Sequence, residues 1–357
     1  MATEKRRPTI IDIARKAEVS FKTVSRVLNE NPRVAAELRS RVLKAMAELD
    51  YQPNLVARSL AGRRGYAIAL LVDGSEFFRE DDANAYFSPY LVDLQAGALI
   101  ACREQGYHFF VEPYDFSVEG WEGGLRAQLS RIALDGVMLA PPSADRLPLL
   151  DALDDLNIPY IRFAPGLEPG RSPSVASDED GGARAMAEHL LALGHRRIGL
   201  IGGPKDHIAA AVRVVAFQEA VAGRAEVIFQ PGDFTFEGGL AAGDALLAED
   251  DRPSAIFATN DFMAAGVVTA AIRRGLKVPE DVSIGGFDDS AVVRFLWPPL
   301  TTVRQPIRKM AAAAVDYLVA QASGRELPER AVELASELVV RGSTGAVYLF
   351  PPIRHSR

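Results

Sequence analysis

From Tyr66 onward the chain alternates short apolar runs with stretches of helical periodicity, and few architectures accept that order. The runs are Tyr66–Val72, His108–Pro113, Asp135–Ala140, Ile158–Phe163, Arg197–Gly202, Val227–Gln230, Ala255–Thr259 and Val282–Gly286. Each has the length of a strand rather than of a helix. Helical stretches separate most of them, as at Glu179–Leu193, Ala209–Ala222, Phe236–Ala248 and Asp261–Arg274. Parallel strands need a crossover between them, and a helix is the usual one, so the order predicts parallel sheets covered by helices. A body of about 280 residues is too large for one ordinary core. Two α/β halves with a cleft between them are expected. A ligand would bind in the cleft, outside the carboxyl ends of the strands.

The first 64 residues differ in character. They hold 14 Lys/Arg against 7 Asp/Glu, a net charge of +7, while the whole chain carries −7. The remainder is therefore about −14. A basic head on an acidic body points to nucleic acid for the head alone. Its apolar residues recur at helical spacing in Ile10, Ile13, Ala14 and Ala17, and again in Val24, Val27 and Leu28. Glu18-Val19-Ser20 supplies a turn between them, with Ser20 a good N-cap. A third helix is expected from about Ala35 to Leu49, with Leu38, Val42, Leu43, Met46 and Leu49 on one side, and Pro53 closes the unit. Three short helices of this size make a small all-α helix-turn-helix domain. Asn54–Arg64 has helical propensity but is too short to be stable alone, which makes it a hinge. The expected organisation is a DNA-binding domain over 1–53, a hinge over 54–65, a two-lobed effector-binding and dimerisation domain over 66–344, and a short tail over 345–357.

Several function classes drop out. No apolar run reaches the length of a membrane span, and the MATEKRRPT start lacks the apolar stretch of a signal peptide. The single cysteine, Cys102, permits no internal disulfide, fits a reducing cytoplasm and reads as a buried small hydrophobe. The five histidines are scattered without metal spacing, and no Gly-x-Ser-x-Gly elbow, P-loop or His-Glu-x-x-His motif occurs. Asp288-Asp289 resembles a carboxylate pair for glycoside chemistry, but adjacent residues at one strand end rarely face the same ligand. No enzyme activity, cofactor or metal is expected. A secreted sugar carrier would have neither the basic head nor this start.

Head and body together resemble the LacI/GalR family of bacterial transcription regulators, over nearly the whole chain from Thr9 to Gly342. In the head the resemblance rests on Asp12-Ile-Ala, Val19-Ser20, Thr23-Val-Ser-Arg-Val-Leu-Asn29, Asp50-Tyr-Gln-Pro-Asn54 and Ala57-Arg-Ser-Leu60. In the body it rests on Leu193-Gly-His-Arg-Arg-Ile198, Asn260-Asp261, Gly286-Phe-Asp-Asp289 and Pro299-Leu-Thr-Thr-Val-Arg-Gln305. The family's body resembles a type I periplasmic sugar-binding protein, in agreement with the two-lobed reading.

The resemblance implies roles for particular residues. Phe21, Lys22 and Arg26 fall at positions like the family's base-reading ones. Lys22 and Arg26 can donate to guanine O6 and N7, and Phe21 can touch a thymine methyl. The other reading of the two cations is phosphate neutralisation alone. Thr23, Ser25 and Asn29 would position the DNA backbone. Leu60 resembles the family's hinge leucine, a wedge into the minor groove that kinks the duplex. Two hinges must pack together, so the partners are a second copy of the chain and a near-palindromic operator.

In the body, Arg213, Phe234, Asn260 and Asp288 match family effector contacts and all follow strands. Their chemistry suits a saccharide: the carboxylate accepts hydroxyls, Arg and Asn donate, and the phenyl covers the apolar face of a ring. Where purine-binding relatives carry an arginine after Gly-Pro, this chain has His207, which leaves a smaller, less charged subsite and is itself a candidate contact. Gly74–Ala83 reads as an insert at the cleft mouth, and Asp73, Asn84 and Tyr86 are further contacts. Ser143 and Asp145 divide between ligand contact and helix cap. The expectation is a cytoplasmic, homodimeric repressor of carbohydrate-use genes, controlled by a small sugar or sugar derivative. The alternative is the same architecture answering to a nucleoside, a purine or another polar metabolite.

Overall fold

The computed structural model describes residues 8–28, 33–51, 64–74, 88–248 and 251–347. They form two compact units, one within residues 1–66 and the other within 67–357. The first holds α1 (Ile10–Lys16), α2 (Phe21–Leu28) and α3 (Ala36–Glu48). A reciprocal box starts α1: the Asp12 amide donates to the Thr9 hydroxyl, and the Thr9 amide donates to the Asp12 carboxylate at 2.8 Å. Glu18 takes a left-handed conformation, φ 51°, which makes the sharp turn into α2. Ser20 then caps α2, accepting from the Thr23 amide at 3.1 Å. Ile13, Ala17, Val24, Val27, Val42 and Ala45 form the core; Leu43, expected on the packed side of α3, is instead 52% exposed, and Ala45 is buried on that helix beside Val42.

The second unit has strands β1 (Ala67–Asp73), β2 (His108–Tyr114), β3 (Gly136–Leu139), β4 (Tyr160–Phe163), β5 (Ser174–Ser177), β6 (Arg197–Ile201), β7 (Glu226–Gln230), β8 (Ala255–Ala258), β9 (Ser283–Asp288), β10 (Thr301–Arg304), β11 (Ala331–Leu334) and β12 (Glu337–Val339). Its helices are α4 (Pro89–Glu104), α5 (Trp121–Leu129), α6 (Leu147–Asp155), α7 (Glu179–Ala192), α8 (Ile208–Val221), α9 (Phe236–Leu247), α10 (Asp261–Arg273) and α11 (Ile307–Ser323). The strands make two six-stranded sheets, ordered β11-β5-β4-β3-β1-β2 and β12-β10-β9-β8-β6-β7. Every pairing is parallel except β10 with β12. Helices α4, α5, α6 and α11 belong to the first lobe, and α7 to α10 to the second.

Central strands such as β3, β4 and β8 are buried at every residue, as parallel strands covered on both faces must be. Each fully buried Leu, Ile or Phe there contributes about 1.5–3 kcal/mol. Cys102 is buried on α4, as expected. Helices α9 and α10 approach closely: a Cβ on Gly239 would lie 2.3 Å from the Met263 backbone. That contact holds the start of α10 against α9.

The alternation of runs locates eight of the strands and misses β5, β10, β11 and β12. These four are short, and β11 and β12 are half-exposed edge strands with little apolar signal. They matter because the chain passes between lobes where they end: from β5 to α7, from β10 to α11, and from β11 to β12. Strand β9 also runs on to Asp288, two residues beyond its apolar run.

Candidate functional site

In the head, α2 carries opposed faces. Val24 and Val27 are buried; Phe21, Lys22 and Arg26 are exposed, with Thr23 and Ser25 partly so. Phe21 is 52% exposed although it is a large hydrophobe at a helix start. Residues 21, 22, 25 and 26 share one side of the helix. An apolar ring between two cations is a surface that suits base edges and phosphate together. Arg41 fixes the presentation of α2, donating from Nη2 to the Ala17 and Glu18 carbonyls at 2.7 and 3.1 Å across the turn. Asn29 and Leu60 lie outside the described residues.

In the body, Arg213 and Asp288 meet at the carboxyl ends of the second lobe's strands. Arg213 sits on α8 with its guanidinium 3.9 Å above the Phe287 ring. Its Nε donates to Glu179 Oε2 at 2.5 Å and its Nη1 to the Thr259 carbonyl at 2.6 Å, while Asp288 Oδ1 stands 3.5 Å from Nη1. Burial alone would lower the Arg213 pKa, but Glu179 and Asp288 outweigh it and hold it above the ordinary value. Gln305 Nε2 donates to Asp288 Oδ1 at 2.6 Å. The Ser177 hydroxyl lies 2.6 Å from Gln305 Oε1 and 2.8 Å from Glu179 Oε1. Ser177 and Glu179 flank the first passage between lobes, and Gln305 stands on the second. The network therefore joins Arg213 and Asp288 to both passages.

Asp288 is the last residue of β9 and has φ 114°; Phe234 and Asp289 also have positive φ, 67° and 54°. Side chains rarely adopt such angles, and strain of this kind concentrates at functional sites. Burial raises the Asp288 carboxyl to about 6, against the opposing pull of Arg213 and Gln305. Among the described residues, Asp288 Oδ2 and Arg213 Nη2 have no hydrogen-bond partner. They belong to two side chains that approach each other to 3.5 Å through Nη1 and Oδ1. A pocket of about 620 Å³ opens at Asp288, with Arg213 behind it rather than on its wall; it is lined by Asp288, Asp289, Arg294, Phe295 and Arg304 on one lobe and Asp93, Arg308 and Lys309 on the other. That is the size of a small-molecule site.

The other expected contacts are engaged within the protein. Asn260 is extended, φ −150°, and caps α10: Oδ1 accepts from the Met263 amide at 2.9 Å and Nδ2 donates to the Phe234 carbonyl at 3.0 Å. It thereby positions Phe234, whose ring packs against the second lobe's core and meets His207 edge to face at 5.0 Å. His207 caps α8, its Nδ1 accepting from the Ala210 amide at 3.3 Å, and burial and Arg213 push its pKa down to about 4. Asp73 pairs with Arg146 at 2.9 Å. Asp145 Oδ1 accepts from the Gly166 and Leu167 amides, so it organises the loop after β4 rather than a helix start. Ser143 is buried in a short 3-10 turn. Asn84, Tyr86 and residues 75–83 of the insert lie outside the described residues. Asp289 pairs with Arg304 at 2.6 Å and Arg341 at 2.5 Å, so although both carboxylates line the pocket, only Asp288 keeps an oxygen without a partner among the described residues.

Sequence reasoning missed Glu179, Ser177, Gln305 and Tyr90. Glu179 reads as an acidic residue in a helix's first turn. Nothing local tells that it meets an arginine 34 residues later. Gln305 closes the Thr-Thr-Val-Arg-Gln segment of the resemblance without an assigned role. Tyr90 reaches this cluster from α4: burial, Glu179 and Asp288 all raise its phenol, against Arg213.

Residues 9–54 match the model for bacterial regulatory proteins of the lacI family, and residues 187–344 match the periplasmic binding protein-like domain. The chain is 32% identical over 345 residues to the HTH-type transcriptional regulator CelR of Thermobifida fusca, covering 95% of this chain and 99% of that protein. It is 33% identical over 344 residues to the HTH-type transcriptional repressor PurR of Aliivibrio fischeri strain MJ11, covering 94% and 98%. Among solved structures it resembles the complex of CelR with cellobiose, with a TM-score of 0.69, 31% identity and coverage of 94% of this chain and 100% of that one. It also resembles the Lac repressor dimer bound to operator and the anti-inducer ONPF, with a TM-score of 0.71, 28% identity and coverage of 96% and 100%. Helix-turn-helix head, two-lobed body and full-length identity agree: the chain belongs to the LacI family of bacterial transcriptional regulators.

Proposed function

We propose that the protein is a homodimeric repressor of carbohydrate-use genes that binds a near-palindromic operator through α2 and releases or grips it according to a saccharide held between the lobes. The observation that carries this reading is the open pair formed by Asp288 Oδ2 and Arg213 Nη2, rooted in a network that includes residues on two of the passages between lobes. A polyol that fills the pair accepts from one atom and donates to the other. Its binding bears directly on the angle between lobes. The CelR relative, solved with cellobiose, supports a sugar. Coupling is reciprocal: a sugar that weakens operator binding is itself bound more weakly by the operator complex.

A second reading, a purine effector, is favoured by the 33% identity to PurR. Against it, His207 and its neighbours Ala209 and Ala210 leave that subsite small and weakly charged. The deciding experiment is a thermal-shift screen of the full chain with mono- and disaccharides, cellobiose included, beside hypoxanthine and guanine. Hits are then tested for their effect on binding to DNA selected by the protein itself. A saccharide that both stabilises the body and changes DNA affinity supports the first reading; a purine base that alone does so replaces it.

A further inference from the structure

The inner end of the cleft is rich in carboxylates. Glu179 and Asp288 are nearly buried beside the guanidinium of Arg213, and Asp261 is fully buried close enough to Asp288 for burial and that charge to push its carboxyl well up, toward the neutral form. Asp261 is held by the Thr302 hydroxyl at 2.6 Å and the Ser290 amide at 2.7 Å. Arg213 is not free to meet a ligand anion, because Glu179 already lies 2.5 Å from its Nε. The arginines around the cleft are charge-paired as well: Arg146 with Asp73 at 2.9 Å, although its buried Nε has no hydrogen-bond partner among the described residues, Arg304 with Asp289 at 2.6 Å, and Arg308 with Asp93 at 2.8 Å. Among the described pocket residues, only Arg294 and Lys309 stand outside such pairs, and both are exposed, where water and salt weaken their pull. A phosphate or carboxylate brought to Arg213 would meet like charges in a poorly solvated place, which disfavours it strongly.

We propose that Glu179 sets the charge selectivity of the cleft: it acts as a built-in anion for Arg213, so that the site takes an uncharged, hydroxyl-bearing effector and rejects phosphorylated or acidic ones. This rests on the cleft being the effector site. Glu179 does not touch the effector. It determines what Arg213 can still offer, namely the hydrogens of Nη2 to a neutral hydroxyl.

The first test needs no effector. Inorganic phosphate is titrated against the full-length protein at matched ionic strength, with chloride as control, and stability is read by thermal shift. The native protein is expected to show no saturable response up to about 10 mM. Glu179→Gln keeps the shape, removes the built-in anion and should acquire a saturable, phosphate-specific rise. Glu179→Asp keeps the charge and should stay unresponsive. In the second test, calorimetry compares glucose and cellobiose with their 6-phosphates, and hypoxanthine with inosine monophosphate. The neutral member of whichever pair binds should be favoured by at least about tenfold in the native protein. Glu179→Gln should narrow that ratio, an effect that mere loosening of the fold would not produce. Saturable phosphate binding by the native protein, or a 6-phosphate that binds as well as its parent sugar, overturns the proposal while leaving a saccharide site intact. Hypoxanthine binding without any sugar binding overturns the saccharide reading instead, and the charge preference is then read from the purine pair. If Glu179→Gln does not fold, the native protein's two measurements still decide whether the site rejects anions.

Discussion

Asp288→Asn is the perturbation that most sharply separates a binding role from a structural one. Asn fits the shape and tolerates the φ of 114° at this position better than most residues. Gln305 Nε2 donates to Oδ1 at 2.6 Å, so an Asn side chain keeps its oxygen there and turns its amide toward the cleft, where the native Oδ2 accepts. A charge-assisted hydrogen bond is lost and a donor faces a hydroxyl donor. Such a bond is worth about 1.5–3 kcal/mol, a loss of roughly ten- to a hundred-fold in effector affinity. The pH dependence gives an independent check. The native carboxyl is raised to about 6, so it is charged at pH 7.5, and effector affinity should fall as pH drops through 6, by about tenfold for each unit below. The variant should be flat over that range. Stability has the opposite sign. A carboxyl raised above its ordinary value favours the fold only while protonated, and that contribution disappears as pH rises through about 6. At pH 7.5 the variant should therefore melt no lower than the native protein. Calorimetry with the effector found in the screen, at pH 5 to 8, and thermal melts at the same pH values make the measurement. Native affinity in Asp288→Asn, or a native profile flat through pH 6, would refute the assignment. A large drop in melting temperature would show the residue to be structural.

Three further outcomes are expected. Arg26→Ala should reduce discrimination between the selected operator and a mutated one by about 1–3 kcal/mol, the worth of a base-edge contact; equal losses on both DNAs in a fluorescence-anisotropy titration would make Arg26 a phosphate contact only. Arg162→Met should destabilise the body by at least about 3 kcal/mol in urea unfolding, since the buried guanidinium serves the Ser172 hydroxyl and the Ala144, Leu167 and Glu168 carbonyls, which would be left without donors; a loss within 1 kcal/mol would mean that water replaces it. The full chain should sediment as a dimer at about micromolar concentration, because a near-palindromic operator calls for two copies of the head related by a two-fold axis; a monomer at that concentration would contradict this.

What the sequence determined alone is whatever depends on neighbours along the chain. Periodicity located the three head helices and their core, because an amphipathic helix declares its buried side every three or four residues. Short apolar runs marked the covered parallel strands, and the Ser20 cap and the charge asymmetry marked the head as the DNA-binding end. Motif agreement in separate segments singled out Arg213 and Asp288, which the fold does bring to 3.5 Å. Only the tertiary structure decided how those residues are used. Asn260 and His207 have side chains suited to a ligand, yet each caps the helix that begins beside it, and Asp73 and Asp145 are taken up by an ion pair and a loop from distant segments. Glu179, Ser177 and Gln305 carry no local signal of function. They become a network because the chain passes between two sheets where they stand, and in that buried place a carboxylate 34 positions from an arginine becomes its partner. Local propensity acts over a few residues, whereas burial and ion pairing depend on the sum of the whole fold, and the pairing of Glu179 with Arg213 belongs to the second kind.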